Sequence, residues 1–233
     1  MDNEDQKQIW DYFQGEGADS FAGSAGRLNW LARRVNAEQV LNIGVGDGTF
    51  ERAAQSRGAQ IHCLDPSEGA INQLRDELGL GERAQVGYLQ DMPFDDESMD
   101  VIVISEVLEH LATTAMLEKA LEEIKRVLRP GGRILGTVPA REDLASQMVV
   151  CPDCGKQFHR WGHAHSFTIS SLQSLLDRHF SVTEVSERLF VTWSTLNWKG
   201  KLSACMRLIL HYVDIHGKNE NIFFIAVKPQ HQD

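Results

Sequence analysis

Val40-Leu41-Asn42-Ile43-Gly44-Val45-Gly46-Asp47-Gly48-Thr49-Phe50 sets a short apolar run directly before three glycines in five positions, and a helix-like segment follows. This is the pattern of a buried parallel strand ending in a tight turn whose backbone a ligand can approach closely. Two acids stand where further strands end, Asp65 after Ile61-His62-Cys63-Leu64 and Asp91 after Val86-Gly87-Tyr88-Leu89-Gln90. A glycine loop with two spaced carboxylates is a nucleoside-binding arrangement.

Strand and helix patterns alternate outward from this stretch. Strands are expected at Val40 to Ile43, Gln60 to Leu64, Ala84 to Leu89, Asp100 to Ser105 and Arg133 to Val138. Helices are expected from Thr49 to Ser56, from Ser67 to Glu77 with Ser67 as N-cap, and from Thr114 to Leu128. The last carries Leu117, Leu121, Ile124 and Leu128 at helical spacing and stops at Arg129-Pro130-Gly131-Gly132. Val101-Ile102-Val103-Ile104 is β-branched throughout, as in a strand covered on both faces. The fold class is therefore α/β, a doubly wound, mostly parallel sheet with helices on both faces and ligands at the carboxyl ends of its strands. Helix from Ile169 to His179, strand Ser181 to Ser186, helix Lys201 to Ile215 and strand Asn221 to Val227 complete the pattern. Four regions result: an N-terminal helical cap over 1–35, a core over 36–140, an inserted Cys/His segment over 141–168, and a C-terminal part of the core with an apolar lid segment over 169–233.

The chain has 233 residues, enough for one generous domain, and its 42% hydrophobic content is ordinary for a packed core. The 23 Lys and Arg against 33 Asp and Glu give a net charge of −10, which disfavours nucleic acid as a partner because phosphates call for a basic face. Glu187 to Lys218 leans the other way, with five basic residues against two acids. No apolar run approaches the roughly 20 residues that span a bilayer. The polar start Met1-Asp2-Asn3-Glu4-Asp5 and four cysteines without a disulfide framework point to a reducing cytoplasm.

The turn itself departs from the dinucleotide pattern G-x-G-x-x-G, since Thr49 stands at the third glycine position. With Gln90-Asp91-Met92-Pro93-Phe94, Ser105-Glu106-Val107-Leu108-Glu109-His110-Leu111 and Leu128-Arg129-Pro130-Gly131-Gly132 in the same order, the chain resembles the class I S-adenosylmethionine-dependent methyltransferases, in particular the small-molecule and lipid (type 11-like) group. The resemblance covers residues 35–140 best. It implies a Rossmann-like seven-stranded sheet of order 3-2-1-4-5-7-6 with the last strand antiparallel, and S-adenosylmethionine as cofactor. On the same resemblance Gly44, Gly46, Asp47 and Gly48 form the loop under the methionine and ribose, and Asp65, followed by Pro66, accepts the ribose hydroxyls. Asp91 takes the adenine amine, Met92 gives a backbone N–H to the ring, and Ser105 and Glu106 pass the methyl donor. Asn42 stands where the family commonly has an acid for the cofactor's ammonium group; an amide oxygen still accepts but carries no charge.

Cys151-Pro152-Asp153-Cys154-Gly155 reads as a zinc-knuckle turn. With His159 and His163 it supplies four ligands for a structural Zn²⁺ that would order a segment poor in apolar residues. Gly162-His163-Ala164-His165-Ser166-Phe167-Thr168 also matches a stretch of related methyltransferases whose histidine faces the cavity. His163 is thus either a zinc ligand or an active-site residue, with His165 as its replacement at the metal.

Transfer from a sulfonium needs proximity, orientation and, for a hydroxyl or amine acceptor, a base. His110 and His163 are the candidate bases. The acceptor expected is small or lipid-like, taken through its O, N or C atom. Trp193, Trp198, Leu202, Met206 and Tyr212 line the acceptor cavity, cover it, or belong to the core. A non-catalytic cofactor-binding module and a zinc-containing RNA-modifying methyltransferase are the alternatives.

Overall fold

A computed structural model describes residues 23–213, 217 and 220–230. The apolar cluster Ile9, Trp10, Tyr12 and Phe13, read as helical, lies outside them. The elements are α1 (Ala25–Ala32), β1 (Gln39–Ile43), α2 (Thr49–Gln55), β2 (Gln60–Asp65), α3 (Glu68–Leu78), β3 (Ala84–Val86), β4 (Met99–Ser105), α4 (Thr114–Val127), β5 (Leu128–Pro139), β6 (Met148–Val150), β7 (Gln157–His159), α5 (Ile169–Leu176), β8 (Ser181–Arg188), α6 (Trp198–Tyr212) and β9 (Asn221–Val227).

Seven strands form one sheet in the order β3-β2-β1-β4-β5-β9-β8. The first five run parallel, and β9 lies antiparallel between β5 and β8. The order and the single reversed strand are those expected, once the short strands β6 and β7 are set aside. The order steps out from β1 in both directions, so the carboxyl ends of β1 and β4 flank the point where the winding reverses. That crevice is where ligands of such sheets bind.

Burial explains the central placement of β4. Val101, Ile102, Val103 and Ile104 are each at most 1% exposed, so both faces of the strand are covered, as its unbroken β-branched run requires. On one face, α4 contributes Leu117, Ala120, Leu121, Ile124 and Val127 to a core with Ile102, Ile104 and Phe224. On the other, Leu31 and Ala32 of α1 join Phe50, Ala54, Val101, Val103 and Phe223. Each of the Val, Leu, Ile and Phe side chains contributes roughly 1.5–3 kcal/mol by leaving water.

Several boundaries differ from the sequence pattern. The chain is already extended at Leu128, directly after α4, and the Arg129-Pro130-Gly131-Gly132 stretch lies within β5 beside a register shift between Met99 and Val101. A bulge takes up the turn residues that sequence alone reads as a break. Strand β3 ends at Val86 rather than Leu89. The 141–168 segment, expected to be loop-rich, contains an antiparallel hairpin, with Met148 opposite His159 and Val150 opposite Gln157. No helix among the described residues is long and apolar enough to cross a membrane.

Candidate cofactor and active site

The loop after β1 is fixed by its backbone. Gly44 sits at φ 81° and Gly48, the residue before α2, at φ 76°, both in the left-handed region that favours glycine. A Cβ on Gly44 would also lie 2.7 Å from the Val107 side chain. Asp47 Oδ1 accepts the Thr49 N–H at 3.0 Å and so shapes the entry to α2. Asp65, 1% exposed at the end of β2, ties this loop to the next one: Oδ2 accepts the Val45 N–H at 2.9 Å and Oδ1 the Ser67 N–H at 2.8 Å. A carboxylate offers about four acceptor sites, of which these two backbone donors take up two. Pro66 is half-buried beside it, and Ser67 caps α3 by accepting the Ala70 N–H.

Asn42 is arranged differently from the expectation. It is buried, and its amide donates to Glu51 Oε1 at 2.5 Å and to the Gly44 carbonyl at 3.3 Å. Glu51, in the first turn of α2, is fully buried, and its Oε2 has no hydrogen-bond partner among the described residues. An acid is therefore present under the glycine loop, supplied by α2 rather than β1. The signal missed in the sequence is a glutamate two residues after Thr49, facing the apolar side of its helix.

Burial pushes the Glu51 carboxyl up from 4.5 to about 7, opposed by the Asn42 hydrogen bond and aided by the charges of Asp65 and Asp47. A raised folded-state value means the native state holds the proton more tightly than the unfolded chain. The stabilisation is thus complete below about pH 4.5 and lost as pH rises through about 7. The shift corresponds to roughly 3 kcal/mol. Glu51→Gln, which keeps the acceptor for Asn42, is expected to remove that part of the decline. Urea unfolding at pH 5, 6, 7 and 8 checks this, and parallel curves for the two proteins would refute it.

Asp91 is exposed and forms a tight bridge with Tyr88, its N–H donating to the Tyr88 carbonyl at 3.1 Å. The role expected for Met92 needs correcting. Its N–H donates to Glu123 Oε2 of α4 at 3.0 Å, and its carbonyl accepts from Arg126 at 3.0 Å. An acid one helix away engages the amide that was expected to face a ring. The Arg126 hydrogen bond in turn holds Glu123 below the usual carboxylate range.

At the end of β4, Ser105 Oγ pairs with Thr137 Oγ1 at 2.8 Å and accepts from Arg27 of α1 at 3.1 Å. Glu106 stands at φ 58°, a conformation uncommon outside glycine, and accepts from Asn221 at 3.0 Å. Arg27, not singled out in the sequence, thus connects the first helix to this strand end.

The histidines converge, but not in the grouping expected. His110 and His163 pack edge to face, with ring centroids 4.6 Å apart, and His159 stacks on His163 at 4.8 Å. Glu142 lies against two of these rings: its Oε2 contacts His163 Nδ1, and its Oε1 is 3.5 Å from His159 Nε2. Cys151 and Cys154 sit apart, at the turn of the β6–β7 hairpin, where the Cys151 N–H donates to Lys156 O and the Gly155 N–H to Cys151 O, both at 2.9 Å. Hydrogen bonds, chiefly from the Cys154 and Asp153 backbone, hold the Cys151 thiol below its usual range. His159 pairs with Met148 at the other end of the hairpin. At about 3.4 Å per residue, the ladder sets the backbone of Cys151 roughly 10 Å from the Met148–His159 pair. Among the described residues, the groups able to converge on a metal are Glu109 with His110 and His163, and Glu142 with His159 and His163; neither contains a cysteine. The four-ligand set Cys151, Cys154, His159 and His163 is therefore not assembled here.

Burial, reinforced by the neighbouring His163, lowers the His110 imidazole to about 3. The ring is therefore neutral near neutral pH and a weak base. His165 adds no fourth group; its main-chain N–H donates to Glu109 O at 3.1 Å.

Comparison with known proteins agrees with this geometry. Residues 41–136 match the family model described as a methyltransferase domain. A demethylmenaquinone methyltransferase of Clavibacter sepedonicus is 36% identical over 103 residues, covering 43% of this chain and 41% of that protein. A malonyl-[acyl-carrier protein] O-methyltransferase of Serratia marcescens is 34% identical over 109 residues, 47% of this chain and 41% of its own length. The chain thus spans less than half the length of these curated relatives. An S-adenosylmethionine-dependent methyltransferase from Methanosarcina mazei shares the fold with a TM-score of 0.63 at 18% identity, over 87% of this chain and 98% of that one. Residues 41–136 of this chain are thus similar to a methyltransferase domain, and the fold is one shared with an S-adenosylmethionine-dependent methyltransferase.

Proposed function

We propose that the protein binds S-adenosylmethionine in the crevice above β1, β2 and β4 and transfers its methyl group to a small or lipid-like acceptor. The observation that carries this reading is the Asp65 carboxylate, buried at the end of β2, holding the glycine loop by Val45 N–H and its own following turn by Ser67 N–H. That arrangement presents backbone and a carboxylate together, as a ribose requires. The glycine loop, Asp65 and Pro66 would hold the nucleoside, Asp91 the adenine amine, and Ser105 and Glu106 the region of the methyl donor.

Support for the acceptor class comes from the relatives, whose names specify demethylmenaquinone and malonyl-[acyl-carrier protein]. It also comes from a cleft of about 630 Å³ between α1, residues 188–194 and α6, lined by Trp30, Phe190 and Trp193 together with Arg33 and Arg188. Of the aromatic and apolar residues expected around the acceptor, Trp193 lines this cleft, while Trp198, Leu202, Met206 and Tyr212 are all more than half exposed. Zinc bound by the cysteine pair with His159 and His163 does not enter this reading, because the hairpin separates the two pairs.

The test is incubation of the purified chain with methyl-labelled S-adenosylmethionine and a panel of demethylated quinols, acyl thioesters and small phenols. Label transfer to an extractable acceptor, dependent on Asp65, is expected. Cofactor binding without transfer to any acceptor would instead favour a non-catalytic cofactor-binding module.

A further inference from the structure

Glu109 is fully buried, and neither of its carboxylate oxygens has a hydrogen-bond partner among the described residues. An uncompensated buried carboxylate is costly, so such a group calls for a cation or a proton. The Glu109 backbone carbonyl accepts the N–H groups of Ala164 at 2.7 Å and His165 at 3.1 Å, which fastens the segment carrying His163 beside it. One ligand atom from each of Glu109, His110 and His163 lies within 4.8 Å of the others.

Proton placement separates this trio from its neighbour. His110 Nδ1 faces the Gly162 carbonyl at 3.3 Å, and a carbonyl only accepts, so Nδ1 carries the proton and Nε2 the lone pair. His163 Nδ1 meets the Glu142 carboxylate, which likewise leaves the lone pair on Nε2. An imidazole whose far nitrogen donates to a carbonyl or carboxylate is in the tautomer and orientation of a metal ligand. His159 is the reverse: its Nδ1 accepts the N–H groups of Trp161 at 3.3 Å and His163 at 3.0 Å. In its neutral ring the proton sits on Nε2, facing Glu142, so it has no lone pair to give on that side. Glu142 then accepts from His163 and lies 3.5 Å from the protonated His159 Nε2, which makes it a partner of the imidazoles and not a ligand.

We propose that Glu109, His110 and His163 form a binding site for one divalent first-row transition metal, with Zn²⁺ the best match, oriented from behind by Gly162 and Glu142. Two imidazoles and a carboxylate are a donor set that suits Zn²⁺ and keeps a fourth position open. Ligands around zinc stand roughly 3.4 Å apart at their usual bond lengths, so the trio closes with small side-chain rotations. The site lies after β4, on the carboxyl side of the sheet. If the chain transfers methyl groups as proposed above, the open position is where an acceptor oxygen would be held. His110 and His163 would then act as ligands, in place of the base role that the sequence suggested.

The experiment titrates the chelator-stripped full chain with Zn²⁺ alone, and with Co²⁺ for its absorption spectrum, without cofactor or acceptor. It therefore succeeds or fails separately from methyl transfer. Cys151→Ser/Cys154→Ser is expected to retain one equivalent of Zn²⁺ and a Co²⁺ spectrum free of thiolate charge-transfer bands. In that background Glu109→Gln, nearly isosteric, should weaken binding more than 100-fold. Glu142→Gln should weaken it about 10- to 100-fold through the orientation of His163. Circular dichroism confirms that each variant is folded. Absence of the equivalent in the cysteine variant, or its indifference to Glu109→Gln, would overturn the site.

Discussion

Asp65→Ala is expected to abolish cofactor binding and to destabilise the protein at the same time. Two backbone donors, Val45 N–H and Ser67 N–H, meet this carboxylate in a buried position. Removing the acceptor costs about 1–3 kcal/mol for each unsatisfied donor. The expected loss of stability is therefore roughly 2–6 kcal/mol, a large part of what holds a domain folded. The proposed hydrogen bonds to the ribose are charge-assisted, and losing them reduces affinity on the order of 100-fold or more. Asp65→Asn separates the two effects. Its amide keeps one acceptor oxygen but turns an NH₂ toward the other donor, so the fold is largely kept while nucleoside affinity falls. Isothermal titration with S-adenosylhomocysteine beside urea unfolding reads both. Unchanged affinity in Asp65→Asn would remove this residue from the cofactor site.

Gly136→Ala is expected to produce the largest loss of stability for the smallest change in volume. A Cβ at position 136 would stand 1.8 Å from the Ile104 carbonyl oxygen and 2.9 Å from its carbonyl carbon, both backbone atoms of the neighbouring strand. Gly136 and Ile104 are register partners in the β4–β5 ladder, so no side chain can move aside and the strands must separate. Such overpacking costs about 3 kcal/mol or more. For a domain of this size that lowers Tm by roughly 6–12 °C. The next pair along, Ser105 and Thr137, carries the 2.8 Å hydroxyl contact at the site, so cofactor affinity should fall together with stability. Gly69→Ala is the control, since its Cβ would meet only Ser67 Oγ at 3.9 Å within α3. A helical alanine there should be neutral or slightly stabilising. Equal melting temperatures for the two variants would contradict the geometry.

The fold was legible because burial leaves a period in the sequence. The β-branched run Val101–Ile104 and the helical spacing of Leu117, Leu121 and Ile124 each encode the face they bury. The alternation of strand and helix then sets the parallel order. The extended stretch from Leu128 was not legible, because a bulge beside β4 accommodates glycines that elsewhere end a strand. At the site, residues whose position follows from a strand end, such as Gly44 and Asp65, could be placed in advance. Residues whose role depends on a tertiary neighbour could not. Glu51 matters because α2 lays it against Asn42, and the Met92 amide is engaged because α4 brings Glu123 to it. The Cys/His segment illustrates the same limit. Spacing placed four ligands in one short stretch, but pairing of β6 with β7 sends the thiols to the turn and the imidazoles to the sheet edge. There they meet Glu109 and Glu142, 54 and 21 residues before His163 in the chain.

The central claim, that the crevice above β1 and β2 is built for S-adenosylmethionine, is tested most directly by calorimetric titration of the purified chain with S-adenosylhomocysteine and, separately, with NAD. One equivalent of S-adenosylhomocysteine is expected to bind with micromolar or better affinity, and NAD more weakly or not at all. No heat with S-adenosylhomocysteine, or tighter binding of NAD, would contradict it.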